Sequence, residues 1–415
     1  MAGKVVLAYS GGLDTSVAIR WIKEKYDLDV ITLTIDVGNK PDLEAIKEKA
    51  LRIGAVKAFV VDGREDFVSY FVWPALQAGA IYENEYLLAT ALARPLISKY
   101  LVDVARQEGA SAVAHGCTGK GNDQVRFDVS IQTLAPDLQV IAPVREWHLT
   151  RDDSLRYAEE HGIPVQATRK SPYSTDENLW GRSVEAGVLE DAWAEPPDDV
   201  WDWTAGPERR PKEARYIEIE FEHGIPTALD GERLGGVELI ERLSKIAGEY
   251  GVGRVDHIEN RLVGIKSREI YEMPAGWTLY LAHQWLEQMT LTRDTARFKR
   301  LVADEYSNLI YNGLFFSPLR GDLQSFVAST QRHVTGSVRV KLEDGQCIVA
   351  GRRSPQSLYS EELATYSDAD TFNHDAAVGF IQLWGLGQRT AARIQMLGSG
   401  NSGDELPKLQ IPKTE

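Results

Sequence analysis

The chain has 415 residues, 26% of them charged, and a formal net charge of −15. That length exceeds one ordinary hydrophobic core and points to an enzyme of two or three domains, while the acidic balance repels a polyanion and disfavours a nucleic-acid substrate. The only cysteines, Cys117 and Cys347, exclude a disulfide framework and a cysteine-rich metal site.

Met1 to Lys4 leads straight into a strand, with no secretion signal and no membrane-spanning apolar run, so a soluble cytoplasmic protein is expected. Lys4 to Tyr9 (K-V-V-L-A-Y) has the unbroken apolar character of a strand buried on both faces of a parallel sheet. It runs into Ser10-Gly11-Gly12-Leu13-Asp14-Thr15-Ser16. Two glycines let several N–H groups converge. Asp14, Thr15 and Ser16 then open a helical pattern through Val17, Ile19, Trp21 and Ile22, which sets free N–H groups and the positive dipole end beside the glycines, a seat for a phosphate-sized anion. Gly-Gly alone is ordinary turn punctuation. No Walker G-x-x-x-x-G-K-[ST] string is present.

A strand over Asp29 to Gly38, a helix over Asp42 to Gly54 and a strand over Lys57 to Val61 follow. This alternation predicts a doubly wound parallel sheet, which binds ligands outside the carboxyl ends of its strands. Phe67 to Ala91 is rich in aromatics, and a helix is expected over Leu92 to Gln107 with Pro95 in its first turn. Ser111 to Ala114 reads as a buried strand leading into His115-Gly116-Cys117-Thr118-Gly119-Lys120-Gly121-Asn122-Asp123-Gln124-Val125-Arg126-Phe127. This second glycine-rich loop carries Thr118, Lys120, Asn122, Asp123 and Arg126 as donors, acceptor and cations. A strand over Leu138 to Val144 and a helix over Thr150 to His161 complete a first domain, 1–168.

Ser171 to Leu179 and Ser183 to Gly187 read as loop and turn, and Pro196 to Pro211 as irregular. Arg215 to Phe221 alternates like an antiparallel strand with one solvated face, so a second domain, 169–365, is expected to be α+β. It would hold a helix over Gly235 to Gly248, a strand pair over Gly251 to Ser267 carrying Glu259, one long helix from Gly276 towards Tyr311, and a hairpin turned at Asp344-Gly345. Phe372, Ala376, Gly379, Leu383 and Leu386 form a seam suited to helix packing, so 366–398 is expected to be an oligomerisation helix and 399–415 a disordered tail.

The first loop resembles the pyrophosphate loop of the ATP-pyrophosphatase superfamily, whose members cleave ATP between its α and β phosphates. Joined in order by Tyr86-Leu87-Leu88, Ala93-Arg94-Pro95, the second loop, Asp176-Glu177-Asn178-Leu179, Glu185-Ala186-Gly187 and Ile270-Tyr271-Glu272, the chain resembles the argininosuccinate synthase family over nearly its whole length. The resemblance implies an α/β fold of the adenine nucleotide alpha-hydrolase kind, a synthetase domain, a homotetramer, and ATP-dependent ligation of citrulline to aspartate through a citrullyl adenylate. Implied ATP contacts are Ala8, Tyr9, Ser10, Gly11, Gly12, Leu13, Asp14, Thr15, Ser16, Ile35 and Gly116. Aspartate would meet Thr118, Asn122 and Asp123, and citrulline Tyr86, Asn122, Arg126, Ser174, Ser183, Glu259 and Tyr271. Asp14, Asp123 and Arg126 are the implied catalytic residues. Mg²⁺ would be held mainly by phosphate oxygens with Asp14 near them, without a dedicated protein site. Many family members have serine where this chain has Ala91, and Thr90 or a water would replace that contact. Small molecules are the implied partners, with neither nucleic acid nor membrane. Two other readings stand beside this one. Another pyrophosphate-loop enzyme would add cysteines, a zinc module, a glutaminase domain or a basic RNA surface. A non-catalytic nucleotide module would not need Ser174, Ser183, Glu259 and Tyr271.

Overall fold

Strand β1 (Lys4–Ala8) is central because both its faces are apolar. Val5 and Leu7 pack with Val17, Ile19 and Ile22 of the Leu13–Tyr26 helix, whereas Val6 packs with Ile31, Leu33 and Leu101 on the other side. Each such side chain contributes roughly 1.5–3 kcal/mol when buried, so β1 is held from both directions. With β2 (Asp29–Asp36), β3 (Lys57–Asp62), β4 (Ala112–Ala114) and β5 (Gln139–Ile141) it forms a parallel sheet of order β3-β2-β1-β4-β5. The chain leaves β1 towards β2 on one side, while β4 lies on the other. Their carboxyl ends therefore flank the switch point of a doubly wound sheet, where such folds bind ligands.

The computed structural model describes residues 3–39, 42–119, 121–147, 151–164 and 172–396, in two units, Met1–Leu358 and Tyr359–Glu415. Lys120, Thr150, Ser171, the expected boundary near residue 168 and the tail expected from 399 fall outside the described residues.

Two antiparallel sheets follow in the first unit. One has five strands in the order β10-β9-β8-β13-β14, from β8 (Arg215–Glu222), β9 (Ile225–Leu229), β10 (Glu232–Arg233), β13 (Gly336–Glu343) and β14 (Gln346–Arg353). The other has four in the order β11-β12-β7-β6, from β6 (Ser174–Asn178), β7 (Gly181–Glu185), β11 (Arg254–Asn260) and β12 (Lys266–Glu272). Residues between Phe67 and Leu96 share one apolar cluster with residues between Leu179 and Leu342. The β13–β14 turn is at Asp344 and Gly345, with φ of 45° and 80°, as their sequence demands.

Four expectations are corrected. The stretch read as loop and turn is the β6–β7 hairpin, closed where the Asn178 carboxamide oxygen accepts the Trp180 N–H at 2.8 Å and the Gly181 N–H at 3.3 Å. The helix expected from Gly276 to Tyr311 is two, Pro274–Thr290 and Arg293–Tyr311, because Leu291 is extended and the Thr292 hydroxyl caps the second by accepting from the Thr295 N–H. Pro95 lies inside the Ala89–Glu108 helix, not in its first turn, which removes one helical N–H donor. The strand pair carrying Glu259 spans β11 and β12, three to five residues later than expected. A further helix covers Pro318–Gln331, capped where the Ser317 hydroxyl accepts the Arg320 N–H.

In the second unit, Asn373 caps a helix over His374–Trp384, and another covers Leu386–Ala391. Phe372 precedes the first helix, so the seam is interrupted at both ends, and Phe380, Ile381, Leu383 and Trp384 are exposed. Among the described residues no helix is long and apolar enough to cross a membrane.

Glu272 anchors the irregular segment around residue 203. Its carboxylate, fully buried, accepts the N–H groups of Asp202, Trp203 and Thr204 at 3.0 Å each, the Thr204 hydroxyl at 2.6 Å and Arg182 Nη1 at 2.8 Å. Removing it takes the carboxylate from the half-buried Arg182 guanidinium and the acceptor from three N–H groups, the buried one of Thr204 among them. Glu272→Ala is expected to lower the unfolding free energy by about 3–5 kcal/mol in chemical denaturation, with Glu272→Gln losing less.

Candidate active site

The residues singled out by the sequence converge on one cleft. Ala8, Tyr9, Ser10, Asp14, Thr15, Ile35, Tyr86, Gly116, Thr118, Asn122, Asp123, Arg126, Ser174, Ser183, Glu259 and Tyr271 line a space of about 670 Å³. Gly11, Gly12, Leu13 and Ser16 belong to the same loop and helix start but are not on its wall.

The first loop is shaped by Gly11, at φ +77°, and by Gly12, which caps the Leu13–Tyr26 helix without any side-chain bond. Ser10 Oγ and Thr15 Oγ1 lie 3.2 Å apart across the loop. The Ser16 hydroxyl turns inward to the buried Tyr9 hydroxyl at 3.1 Å, so it braces the loop.

The second loop leaves β4 beside the first. His115 is buried, accepts the Cys117 N–H at Nδ1 (3.2 Å) and so carries its proton on Nε2, which donates to Asp128 at 2.7 Å. Gly121 then opens the Asn122–Leu134 helix, again without a side-chain cap. The Asn122 carboxamide donates to the Tyr311 hydroxyl at 2.8 Å and accepts the Leu262 N–H at 3.0 Å. Asp123 is gripped by two guanidiniums, Arg126 Nη1 on Oδ1 at 2.9 Å and Arg94 Nε on Oδ2 at 2.9 Å. Burial would raise its carboxyl, but Arg94 and Arg126 outweigh burial and hold it below the usual range. Asp123 is thus a fixed acceptor. It is not a proton carrier near neutrality. Arg94 also bonds Asp176 at 2.6 Å. Arg126 spends Nε on the Tyr311 carbonyl at 3.0 Å, and its buried Nη2 has no partner.

The far wall is one face of the four-stranded sheet. Side chains alternate along a strand, so Ser183 and Glu185 share a face, as do Glu269 and Tyr271. Register sets Asp176, Ser183 and Tyr271 in a row. Glu259 accepts the Tyr271 and Tyr311 hydroxyls at 2.6 Å each, and burial keeps both phenols protonated by raising them. Tyr86 stacks on Tyr271 with centroids 4.3 Å apart and accepts the Thr90 N–H at 2.9 Å and the Ala91 N–H at 3.3 Å. The Thr90 hydroxyl lines the cleft beside Ala91 and donates to Asp176 at 2.9 Å.

Arg94, Asp176, Glu185, Arg261 and Glu269 line the cleft too, although the sequence did not mark them as site residues. Arg94, Asp176 and Glu185 stood inside the quoted motifs, and the two-residue spacings 183/185, 259/261 and 269/271 were the available signal. Arg261 bonds both Glu185 and Glu269.

Burial, with the charges of Glu185 and Glu259 added, pushes the Glu269 carboxyl up to about 9 against the pull of Arg261. The folded state therefore holds a proton that the unfolded chain releases above its ordinary value of 4.5. The sign follows from linkage: this contribution is complete below that value and is lost as pH rises through about 9. Unfolding free energy is expected to fall by up to ~1.4 kcal/mol per pH unit across that window, and Glu269→Gln to flatten the profile, in denaturation series at stepped pH.

Residues 4–164 match the Arginosuccinate synthase N-terminal HUP domain and residues 173–391 the Arginosuccinate synthase C-terminal domain. A protein of Dehalococcoides mccartyi named argininosuccinate synthase is 56% identical over 405 residues, covering 98% of this chain and 100% of the relative. Its namesake in Symbiobacterium thermophilum is 57% identical over 393 residues, covering 94% and 98%. With both of its family domains present in order and nearly the full length shared, the chain belongs to the argininosuccinate synthase family.

Proposed function

We propose that this chain ligates L-citrulline and L-aspartate at the expense of ATP, giving argininosuccinate, AMP and pyrophosphate. The observation that carries the reading is the meeting of both glycine loops and a polar sheet face at one cleft. A ureido oxygen is a poor nucleophile and a worse leaving group, so it is activated as an adenylate. It attacks the α-phosphorus of ATP and pyrophosphate departs; the α-amino group of aspartate then displaces AMP. Positioning and charge stabilisation are the protein's main contributions.

The N–H groups and positive dipole end at the Leu13–Tyr26 helix start, with Ser10 and Thr15, suit the phosphates, and Ala8, Ile35 and Gly116 suit the nucleoside. The unpartnered Arg126 Nη2 suits the citrulline α-carboxylate. The Glu259 carboxylate suits its ammonium, with Tyr86, Ser174, Ser183 and Tyr271 around it. Thr118, Asn122 and Asp123 would receive aspartate, the ionised Asp123 accepting from its amino group. Among the described residues no three His, Cys, Asp or Glu side chains gather to hold a metal. Mg²⁺ would be carried chiefly by phosphate oxygens with Asp14 beside them, where the ion would neutralise phosphate charge. The same reading makes the protein cytoplasmic.

The test is pyrophosphate release from ATP with citrulline alone and then with aspartate added. A burst with citrulline and sustained AMP release only with both amino acids is expected; release independent of citrulline overturns the reading. In the same assay Arg126→Ala should chiefly weaken citrulline and Thr118→Ala chiefly aspartate, each by about 1.5–3 kcal/mol. Equal effects on both would refute the division of the site.

The exposed Phe380, Ile381, Leu383 and Trp384 support a homotetramer held partly by the tail. Truncation after Thr365 is expected to lower the subunit count in light scattering; an unchanged count removes the tail as the assembly element.

A further inference from the structure

We propose that Lys49 is a catalytic residue, whose ammonium binds the departing pyrophosphate and stabilises charge on it. The proposal rests on the ligase reading above and adds a residue that none of the sequence motifs contains.

Lys49 lies on the Leu43–Ile53 helix, one turn after Ile46. Ile46 lines the cleft and comes within 3.2 Å of where a Cβ on Gly11 would stand, so this helix face packs against the first loop. From that face the Lys49 ammonium donates to the Gly11 carbonyl at 2.6 Å. Among the described residues this carbonyl is its hydrogen-bond partner and no carboxylate reaches it. Burial pulls it below the usual lysine range, with no carboxylate to raise it again.

That separates Lys49, which sits behind the first loop, from the cations that line the cleft. Arg94 is matched by Asp123 and Asp176, Arg126 by Asp123, and Arg261 by Glu185. Lys49 is a partly desolvated charge not yet spent on a carboxylate, and it touches the loop that would cradle phosphate. Its flexible four-carbon stem lets the ammonium turn from the carbonyl to an incoming oxygen.

In the adenylation step the bond from the ureido oxygen to the α-phosphorus forms as the bond to the bridging oxygen breaks. The bonding pair stays on the bridging oxygen, which becomes a terminal oxygen of pyrophosphate. Lys49 donates hydrogen bonds to this anion and keeps its own protons, so no further reactant is needed. Its effect grows as charge develops on the leaving group.

The test compares Lys49→Met and Lys49→Arg with the wild-type full chain. Inorganic pyrophosphate binding is followed by calorimetry, citrulline-dependent pyrophosphate release by kinetics, and folding by melting temperature. Lys49→Met is expected to weaken pyrophosphate binding and lower kcat by roughly 10- to 100-fold each, with the KM values for citrulline and aspartate unchanged and Lys49→Arg recovering most of the loss. Unchanged pyrophosphate binding in Lys49→Met overturns the proposal, as does an equal loss in Lys49→Arg, which would make the side chain a brace on Gly11. A wild-type enzyme that binds pyrophosphate but releases none in response to citrulline overturns the ligase reading instead, and the calorimetry still decides the role of Lys49.

Discussion

Everything at the cleft depends on the divergence of the chain where β1 and β4 end side by side. Leu7 pairs with Ala114, so the Ser10 and His115 loops begin only a few residues from the same rung of the sheet. Neither strand can slip, because a one-residue shift would turn Val5 and Leu7 away from one apolar layer and Val6 away from the other. The sheet thus fixes two glycine loops and two helix starts against each other before any side chain of the site is placed.

The second wall is fixed by charge. Asp123 from the second loop and Asp176 from β6 are both bonded by Arg94 of the Ala89–Glu108 helix, so one guanidinium ties together three segments distant in sequence. Such a pair is costly to desolvate and stabilises little in net terms, but removing one partner leaves an uncompensated charge. Its value lies in placement. Asp123 and Asp176 are held ready to accept hydrogen bonds, and little reorganisation is needed when a substrate arrives.

The loops were legible because their cause is local: a buried apolar strand, glycines and a helix start occupy a few consecutive residues. The β6–β7 hairpin was not, since S-T-D-E-N and G-R-S-V-E spend on the cleft the face that would otherwise show alternating apolar residues. A site-facing strand looks like a loop in sequence. The break between the two long helices rests on Thr292, a polar residue whose capping role depends on the chain having already turned extended at Leu291. Arg94 and Glu269 were missed for a different reason. Their roles come from partners far along the chain, and no spacing rule announces a pairing such as Arg94 with Asp176.

A chain of net charge −15 that binds a triphosphate cannot rely on its overall field. Nor does it rely on the arginines of the cleft, which are matched by carboxylates. Among the described residues, what remains positive near the first loop is the backbone itself, the start of the Leu13–Tyr26 helix without a side-chain cap, together with the Lys49 ammonium. Fixed dipoles cost no side-chain entropy and cannot be neutralised by a neighbouring carboxylate turning towards them. An acidic protein can therefore hold a polyanion at one strand end without a positive overall field, because the positive end of a helix sits at the sheet's switch point.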